Sequence, residues 1–179
     1  MAITPPSERI WWKEPVHKVE IIWVIIAFLW GVAMFFTMIW WHGFGQVNMS
    51  NEAYRVQPFQ FAEKVDAMVA AHTVRQEGAF PVVKPPPGSD VYLRGRVYMW
   101  WPMLELEKGQ TYRLHLSSID LQHGFSLQPL NINIQVHPGY ESVMTITPTS
   151  SGEFGIVCNE YCGLGHHTMT GRIYVVERT

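Results

Sequence analysis

Four soft metal-binding side chains lie within twelve residues near the end of the sequence: Cys158, Cys162, His166 and Met169. Thiolate, imidazole and thioether donors together suit copper. Zinc fits less well, because a structural zinc site uses four Cys or His ligands and would leave the methionine without a role. A mononuclear blue copper site needs one cysteine, whereas two thiolates can bridge two copper ions and share one electron between them. The segment therefore favours a dinuclear copper centre.

Such a centre needs a second histidine from another part of the chain. His123 is the preferred candidate, because it lies at a turn between two predicted strands and is followed by the flexible Gly124. His137, in a predicted Pro-Gly turn, is a weaker candidate. His115 lies inside a predicted strand and is expected to point to solvent.

Each of these residues also has a purely structural interpretation. Cys158 and Cys162 could form a disulfide, Met169 could belong to the core, and a single histidine is more often structural than metal-binding. The C-x3-C-x3-H-x2-M spacing in a β-rich domain outside the membrane is nevertheless specific. Taken together, the residues favour a metal site over these separate interpretations.

The elements that would position the ligands are short β-rich runs after Asp90. The runs are VYLRGRVYM, TYRLHLS, INIQV, SVMTIT, FGIVC and GRIYVV. Turns such as Glu107–Gly109 and His137–Gly139 separate them, which is typical of an antiparallel sandwich or barrel. The sequence therefore predicts an all-β domain over 91–179.

An uncharged apolar run covers Ile21–Trp41. As a helix it would be roughly 31 Å long, about the thickness of the hydrocarbon core of a bilayer. Tryptophans flank it at both ends, where their rings favour the headgroup region; they are Trp11, Trp12, Trp23, Trp40 and Trp41. No small-residue cleavage site follows, so we expect an uncleaved transmembrane anchor.

Basic residues set the expected orientation of this anchor. Arg9, Lys13 and Lys18 precede the run and no further basic residue occurs before Arg55, which predicts a cytoplasmic N-terminal segment over 1–20. The domain after the helix would then lie on the opposite side of the inner membrane, in the periplasm or another extracytoplasmic compartment. Residues 42–90 are predicted to connect helix and domain.

The connecting region carries turn and linker signals along most of its length. It ends in the extended run Lys84–Gly88, because three consecutive prolines cannot join a helix or a central strand. Apolar residues at helical spacing predict one short amphipathic helix inside it, over Phe59–Ala71.

Composition excludes several classes of protein. Thirteen basic residues stand against fifteen acidic ones, for a net charge of −2, so the chain has no electrostatic footprint for nucleic acid. Aromatic residues make up 13% of the chain, which is too rich for a disordered protein. The two cysteines lie in one short segment, which excludes a disulfide framework.

The cysteine loop and the single anchor resemble subunit II of the heme-copper oxidases, and in particular their B family, whose loops read like ICNQYCGLGH. Thr73–Gly78 and Asn131–Ile134 are also similar to that family. The resemblance implies an all-β cupredoxin-like sandwich of Greek-key type, preceded by one transmembrane helix. It also implies a dinuclear copper centre called CuA.

The family's ligand pattern can be carried over residue by residue. Cys158 and Cys162 would be the bridging thiolates, and His123 and His166 would each bind one copper ion. Met169 would be a weak axial ligand of the copper ion that His123 binds.

Position 160 carries a further expectation from the resemblance. The backbone carbonyl of Glu160 would be the weak ligand of the copper ion that His166 binds. In the larger A family a glutamate at this position helps to bind a magnesium ion at the interface with subunit I, whereas the B-type pattern has glutamine. Glu160 therefore leaves a magnesium site open. His167 has no ligand role in the family pattern.

The resemblance further implies an electron-entry subunit of a cytochrome c oxidase. It would accept electrons from a periplasmic cytochrome c or a small copper protein and pass them to heme in subunit I, where dioxygen is reduced. Subunit I and further membrane subunits would be its partners, and the chain alone would catalyse nothing. Candidates for electron entry are Tyr98, Trp100 and Trp101, and Glu20 is the candidate for proton entry from the cytoplasm.

Other functions remain open at this point. A nitric oxide reductase could use the same copper subunit, whereas nitrous oxide reductase would need a large propeller domain that is absent from this sequence. A membrane-tethered copper chaperone would need an exposed, labile site. A disulfide-bearing accessory subunit would bind no metal.

Overall fold

The computed structural model describes residues 15–44, 51–130 and 132–178. Arg9, Trp11, Trp12, Lys13 and Asn131, which entered the predictions above, lie outside the described residues. The chain divides into two compact units, Met1–Asn48 and Met49–Thr179.

Helix α1 (Lys18–Phe44) contains the predicted apolar span and has no buried residue. Its mean hydropathy reaches 2.4, and it is long and apolar enough to cross a membrane. At its start, the Glu20 carboxylate accepts a hydrogen bond of 3.0 Å from the His17 backbone amide. This bond satisfies one of the amides that the first turn leaves without a partner, so Glu20 has a local structural role.

The second unit contains one helix and two β-sheets. The helix is α2 (Pro58–His72). The strands are β1 (Asn51–Arg55), β2 (Thr73–Glu77), β3 (Phe80–Val83), β4 (Asp90–Arg96), β5 (Met99–Trp101), β6 (Met103–Glu107), β7 (Tyr112–Ser118), β8 (His123–Gln128), β9 (Ile132–Val136), β10 (Tyr140–Ile146), β11 (Gly152–Cys158) and β12 (Thr170–Val176).

The strands form a sandwich. One sheet has the order β1-β10-β7-β4-β5 and the other β2-β3-β6-β12-β11-β8-β9. The predicted all-β sandwich behind one apolar helix is therefore confirmed. The expectation of purely antiparallel pairing is wrong, because β4 with β7, β3 with β6 and β6 with β12 pair in parallel. Strands β5 and β7 belong to the smaller sheet, whereas β6 belongs to the larger one, so the chain crosses between the sheets after β5 and again after β6. After these two crossings β7 runs in the same direction as β4, its neighbour in the smaller sheet.

The strand predicted over VYLRGRVYM is two strands. β4 and β5 form an antiparallel hairpin in which Arg94 faces Trp101 and Arg96 faces Met99. Its tip is the Val97–Tyr98 pair. The uninterrupted run of β-forming residues does not reveal this reversal, because it contains no glycine or proline at the tip.

The predicted connecting region differs most from the structure. The helix expected over Phe59–Ala71 is present as α2, and it buries Phe61, Val65 and Met68 at helical spacing. Strand β1 pairs with β10, and β3 pairs with β6. Among the described residues, strands of the two sheets thus occur from Asn51 onwards, because strands early in the chain pair with strands late in the chain.

The core lies between the two sheets and is made mainly of aliphatic side chains with a few aromatic rings. Leu93, Leu104, Leu114, Phe125 and Ile156 are among its fully buried residues. At one end this core is continuous with the two buried cysteines and with Met169. Three of the predicted copper ligands, Cys158, Cys162 and Met169, therefore belong to the packed interior.

Candidate metal centre

Three neighbouring strands of the larger sheet position the predicted ligands. β11 ends at Cys158, β8 begins at His123, and β12 begins directly after Met169. In the sheet, Cys158 faces Phe125 of β8, and Val157 faces Thr170 of β12. The register alone therefore brings His123 and Met169 to either side of Cys158.

The loop after β11 brings the other two side chains back to this point. It contains Cys162 and ends in a short 3-10 helix, His166–Thr168. Within it the His166 amide donates to the Gly163 carbonyl at 3.0 Å, and the Met169 amide donates to the His166 carbonyl at 3.1 Å. The Cys158 amide closes the loop by donating to the Met169 carbonyl at 3.1 Å.

The donor atoms converge on the two sulfurs. The Sγ atoms of Cys158 and Cys162 are 3.9 Å apart. His123 Nδ1 lies 3.9 Å from Cys158 Sγ, and His166 Nδ1 lies 3.7 Å from Cys162 Sγ. Each sulfur therefore has one imidazole nitrogen beside it.

Two weaker donors complete the group. Met169 Sδ is 3.8 Å from Cys162 Sγ, and the backbone oxygen of Glu160 is 3.3 Å from Cys158 Sγ. All of the side chains except His166 are well buried, with exposed fractions of 0% for His123, 3% for Cys158, 5% for Cys162 and 1% for Met169. Apart from the partly exposed His166, the donor side chains are closed off from solvent.

The two cysteines do not form a disulfide. Both are free, and their sulfurs are far beyond the bonding distance of about 2.05 Å. Burial, reinforced by the neighbouring Cys158, raises the pKa of the Cys162 thiol to about 11. A metal–thiolate bond of about 2.3 Å lets one ion contact both sulfurs at this spacing. The donor set of two thiols, two imidazoles and a thioether fits copper.

Gly124 explains why a glycine follows the first histidine. A Cβ atom at this position would overlap Asn159 Oδ1 and would lie 2.9 Å from the Glu160 amide nitrogen. The Asn159 amide also donates to the Gly124 carbonyl at 3.3 Å. The glycine thus permits the close approach of the cysteine loop to β8, which is a packing role and not the flexibility that we inferred from the sequence.

Asp120 lies beside the candidate site and was not predicted from the sequence. Its Oδ1 lies 2.9 Å from His123 Nε2, and its Oδ2 accepts a hydrogen bond of 2.8 Å from the Val97 amide. Burial opposes its charge, but the bonds from Val97 and His123 outweigh that cost and hold the pKa of Asp120 below its usual value. A carboxylate behind a metal-binding imidazole orients the ring. Its position three residues before His123 was the available signal.

The other candidate histidines lie elsewhere. His115 is buried beside Glu141 and Asp90, so the expectation that it points to solvent is wrong. His137 lines a surface cleft with Asp120 and does not join the thiols. Among the described residues, the group of His, Cys, Asp and Glu side chains that could hold a metal comprises His123, Cys158 and Cys162. His167 is exposed.

The aromatic residues suggested for electron entry have different surroundings. Trp100 is buried, with its ring centroid 6.1 Å from that of His123. Trp101 packs beside Phe80 with a centroid separation of 5.9 Å. Tyr98 is 36% exposed and lies against the cysteine loop. None of these contacts tests electron entry.

Glu160 and Tyr161 project from the loop towards the surface. The Glu160 carboxylate accepts a hydrogen bond of 3.2 Å from the Gln135 side chain. The ring of Tyr161 lies 5.9 Å from that of His166 and is 75% exposed, and Leu164 is 91% exposed. The loop thus presents an apolar surface directly above the buried donors.

Comparison with known proteins gives close relatives. No family model matches the chain. Two proteins from Thermus thermophilus named cytochrome c oxidase subunit 2 are each 39% identical over 112 residues, which cover 59% of this chain and 83% and 67% of theirs. A probable cytochrome c oxidase subunit 2 of Streptomyces coelicolor is 37% identical over 76 residues, covering 42% of this chain and 24% of that protein.

A solved structure shares the fold. A chain from the cryo-EM structure of a heme-copper terminal oxidase dimer superimposes with a TM-score of 0.57 at 20% identity. The match covers 89% of this chain and all of that one. At this identity the likeness concerns the fold alone.

Proposed function

Because the chain belongs to the cytochrome c oxidase subunit 2 family, we propose that it is the CuA-bearing, electron-entry subunit of a heme-copper oxidase. One observation carries the proposal: two free, buried thiols lie 3.9 Å apart with an imidazole nitrogen beside each of them. A site of this kind has no role in a purely structural subunit. Its burial also disfavours a copper chaperone, which must release its metal readily.

The proposed ligands divide into strong and weak donors. Cys158 and Cys162 would hold the copper as thiolates, and His123 and His166 would be its imidazole ligands. Met169 and the backbone carbonyl of Glu160 would be the weaker ligands. The distances between these atoms support the assignment, as does the preference of copper for sulfur and imidazole donors.

When bound, the copper would supply one-electron redox chemistry between an electron donor and the heme in subunit I. The chain's own part is to hold the ligands still. Strand ends fix His123 and Cys158, and backbone hydrogen bonds fix His166 and Met169. Asp120 orients the His123 ring. Ligands that do not move between oxidation states keep the reorganisation that opposes electron transfer small.

The exposed side chains of the loop that carries Cys162 and His166 support one proposed mode of donor docking. Tyr161 and Leu164 are strongly exposed there, and the acidic side chains nearby are Asp120 and Glu160. We expect a cytochrome c or small copper protein to dock mainly by apolar contact, with weak salt dependence. Among the three residues proposed for electron entry, Tyr98 is exposed and could contact the donor directly. Trp100 is buried, so it could not contact the donor.

The proposed setting is a respiratory membrane. Helix α1 anchors the chain, with its N-terminus in the cytoplasm and the β unit outside. Subunit I and further membrane subunits are the proposed partners. Two further proposals each concern one residue. Glu20 is proposed for proton entry from the cytoplasm, and Glu160 is proposed to bind a magnesium ion at the interface with subunit I.

Electron paramagnetic resonance of the full chain in detergent, loaded with copper and partly oxidised, tests the proposal. One unpaired electron shared by two copper nuclei is expected to give a seven-line hyperfine pattern. Cys158→Ser and His123→Asn should each abolish this pattern, whereas the control His137→Asn should keep it. A four-line spectrum of a single copper ion, or no bound copper, would overturn the proposal.

A further inference from the structure

The tip of the β4–β5 hairpin contacts residues beside both histidines of the candidate metal centre. On one side, the Val97 amide donates to the Asp120 carboxylate, which in turn contacts His123 Nε2. On the other side, the ring of Tyr98 lies against the loop that carries His166. Two consecutive residues of one turn are thus linked to the two histidines, Val97 through Asp120 and Tyr98 through Gly165.

The contact with the loop is a close packing of the ring on Gly165. A Cβ atom at Gly165 would lie 2.6 Å from Tyr98 Cε2 and 2.7 Å from Tyr98 Cγ. Real Cβ atoms do not approach ring carbons so closely, since the optimal separation between carbon atoms is about 3.5–4.0 Å. The ring therefore occupies the space of the missing side chain.

The backbone of Gly165 does not itself require glycine. Its φ of −90° and ψ of 9° are accessible to other residues. The nearby Gly163 differs, because its φ of 126° favours glycine whatever lies beside it. Contact with Tyr98 is thus the feature of the structure that excludes a side chain at Gly165.

Gly165 lies where a displacement would reach the ligands. Its carbonyl accepts a hydrogen bond of 2.9 Å from the Thr168 amide, and His166 follows it directly. The Met169 amide is bonded in turn to the His166 carbonyl. Movement of Gly165 away from the hairpin would therefore shift both His166 and Met169.

We propose that Tyr98 is a positioning residue that holds the 163–169 turn in its metal-binding geometry. It does not contact the metal. Through Val97 and Asp120 the same hairpin tip supports His123, so it keeps the two halves of the centre in register. This inference rests on the copper ligands assigned under the proposed function, and it is separate from any role of Tyr98 in electron entry.

The first test removes the ring. In the copper-loaded full chain in detergent, Tyr98→Ala is expected to hold copper about ten- to a hundredfold less tightly in competition with a chelator, the usual effect of removing a residue that supports a metal ligand. Its hyperfine pattern should change as well. Tyr98→Phe keeps the ring and should restore both properties. The control Tyr54→Ala, which removes another exposed tyrosine on β1, should behave like the unmodified chain.

The second test is a double-mutant cycle. Gly165→Ala should speed copper loss because the new Cβ atom meets the ring, and the matched control Gly155→Ala should not, since nothing lies within 4 Å of its Cβ position. In the Tyr98→Ala background the added methyl has room, so Gly165→Ala should cause little further loss. Thermal unfolding of the metal-free chains separates this effect from a failure to fold.

The outcomes distinguish the two proposals. Strictly additive effects of the two substitutions, or normal copper retention in Tyr98→Ala, would overturn the positioning role while leaving the copper centre in place. Absence of the seven-line pattern in the unmodified chain would overturn both.

Discussion

Phe61→Ala tests whether α2 belongs to the core of the β unit. Phe61 is fully buried, and its ring lies 5.9 Å from that of Tyr92 on β4 in an edge-to-face arrangement. The helix packs against β4 and also contacts β7. No proposed copper ligand lies on α2. The substitution should therefore lower the stability of the unit without changing the copper centre.

The size of the effect follows from the burial of the ring. Replacing a fully buried phenylalanine by alanine costs about 3–5 kcal/mol, because apolar contacts are lost and a cavity remains. Unfolding entropy is about 2.1 cal/mol/K per residue, so over Met49–Thr179 this loss should lower the melting temperature by about 11–18 °C.

The matched control is Phe59→Ala on the same helix. Phe59 is 61% exposed, so its removal should change the free energy of unfolding by less than about 0.5 kcal/mol. Urea unfolding of the full chain in detergent, followed by circular dichroism, gives both values, and the paramagnetic resonance spectrum reports the copper centre. Equal effects of the two substitutions would show that α2 is only a connector and would refute this account of the core.

Three further predictions concern buried and paired side chains. Glu141→Leu should cost about 1–3 kcal/mol of stability in urea unfolding, because it leaves buried His115 Nδ1 without its partner. The pKa of Glu77 is held below its usual value of 4.5 because the Tyr174 hydroxyl donates a hydrogen bond to its carboxylate. The ionised carboxylate therefore stabilises the fold above about pH 4.5, and this contribution is lost as the pH falls through the lower pKa of the folded state. Glu77→Gln should flatten the acid side of the profile of stability against pH. Met169→Leu should change stability by less than about 1.5 kcal/mol yet raise the reduction potential of the bound copper in a redox titration, because the thioether donor is removed.

Each of these predictions has a control. Glu153→Leu breaks an exposed pair with Arg172 and should cost about 0–1 kcal/mol, so an equal effect at Glu141 would contradict the buried contact. The exposed Glu63→Gln should leave the acid limb unchanged, and identical profiles for the two glutamine variants would contradict the role of Glu77. The control for Met169→Leu is Met68→Leu, at a buried methionine on α2, which should leave the reduction potential of the copper unchanged. If Met169→Leu also left the reduction potential unchanged, Met169 would not be a copper ligand.

The sequence alone was sufficient to predict those features that depend on residues close together in the chain. The apolar run over 21–41 determines a helix by its length and lack of charge. The cysteine loop is similarly local, since Cys158, Cys162, His166 and Met169 are close in sequence. Part of the strand content after Asp90 also follows from local pattern, since the structure has a strand at each predicted run. Strands β6 and β8 were not predicted, and His123, which was expected at a turn, is the first residue of β8.

Tertiary structure decided everything that depends on residues distant in the chain. β1 and β3 look like linker until they pair with β10 and β6. His115 looks solvent-facing until Glu141 covers it.

The same holds around the candidate metal site. Asp120 gains its role when the hairpin brings Val97 to it, and Gly165 is explained only by the ring of Tyr98. The spacing of apolar residues indicates which face of a helix or strand is apolar, but it does not indicate which distant segment packs against that face. For this protein, the local sequence determined the donor atoms and the membrane-length helix, whereas only the folded chain determined what supports the donors, because that support comes from long-range contacts.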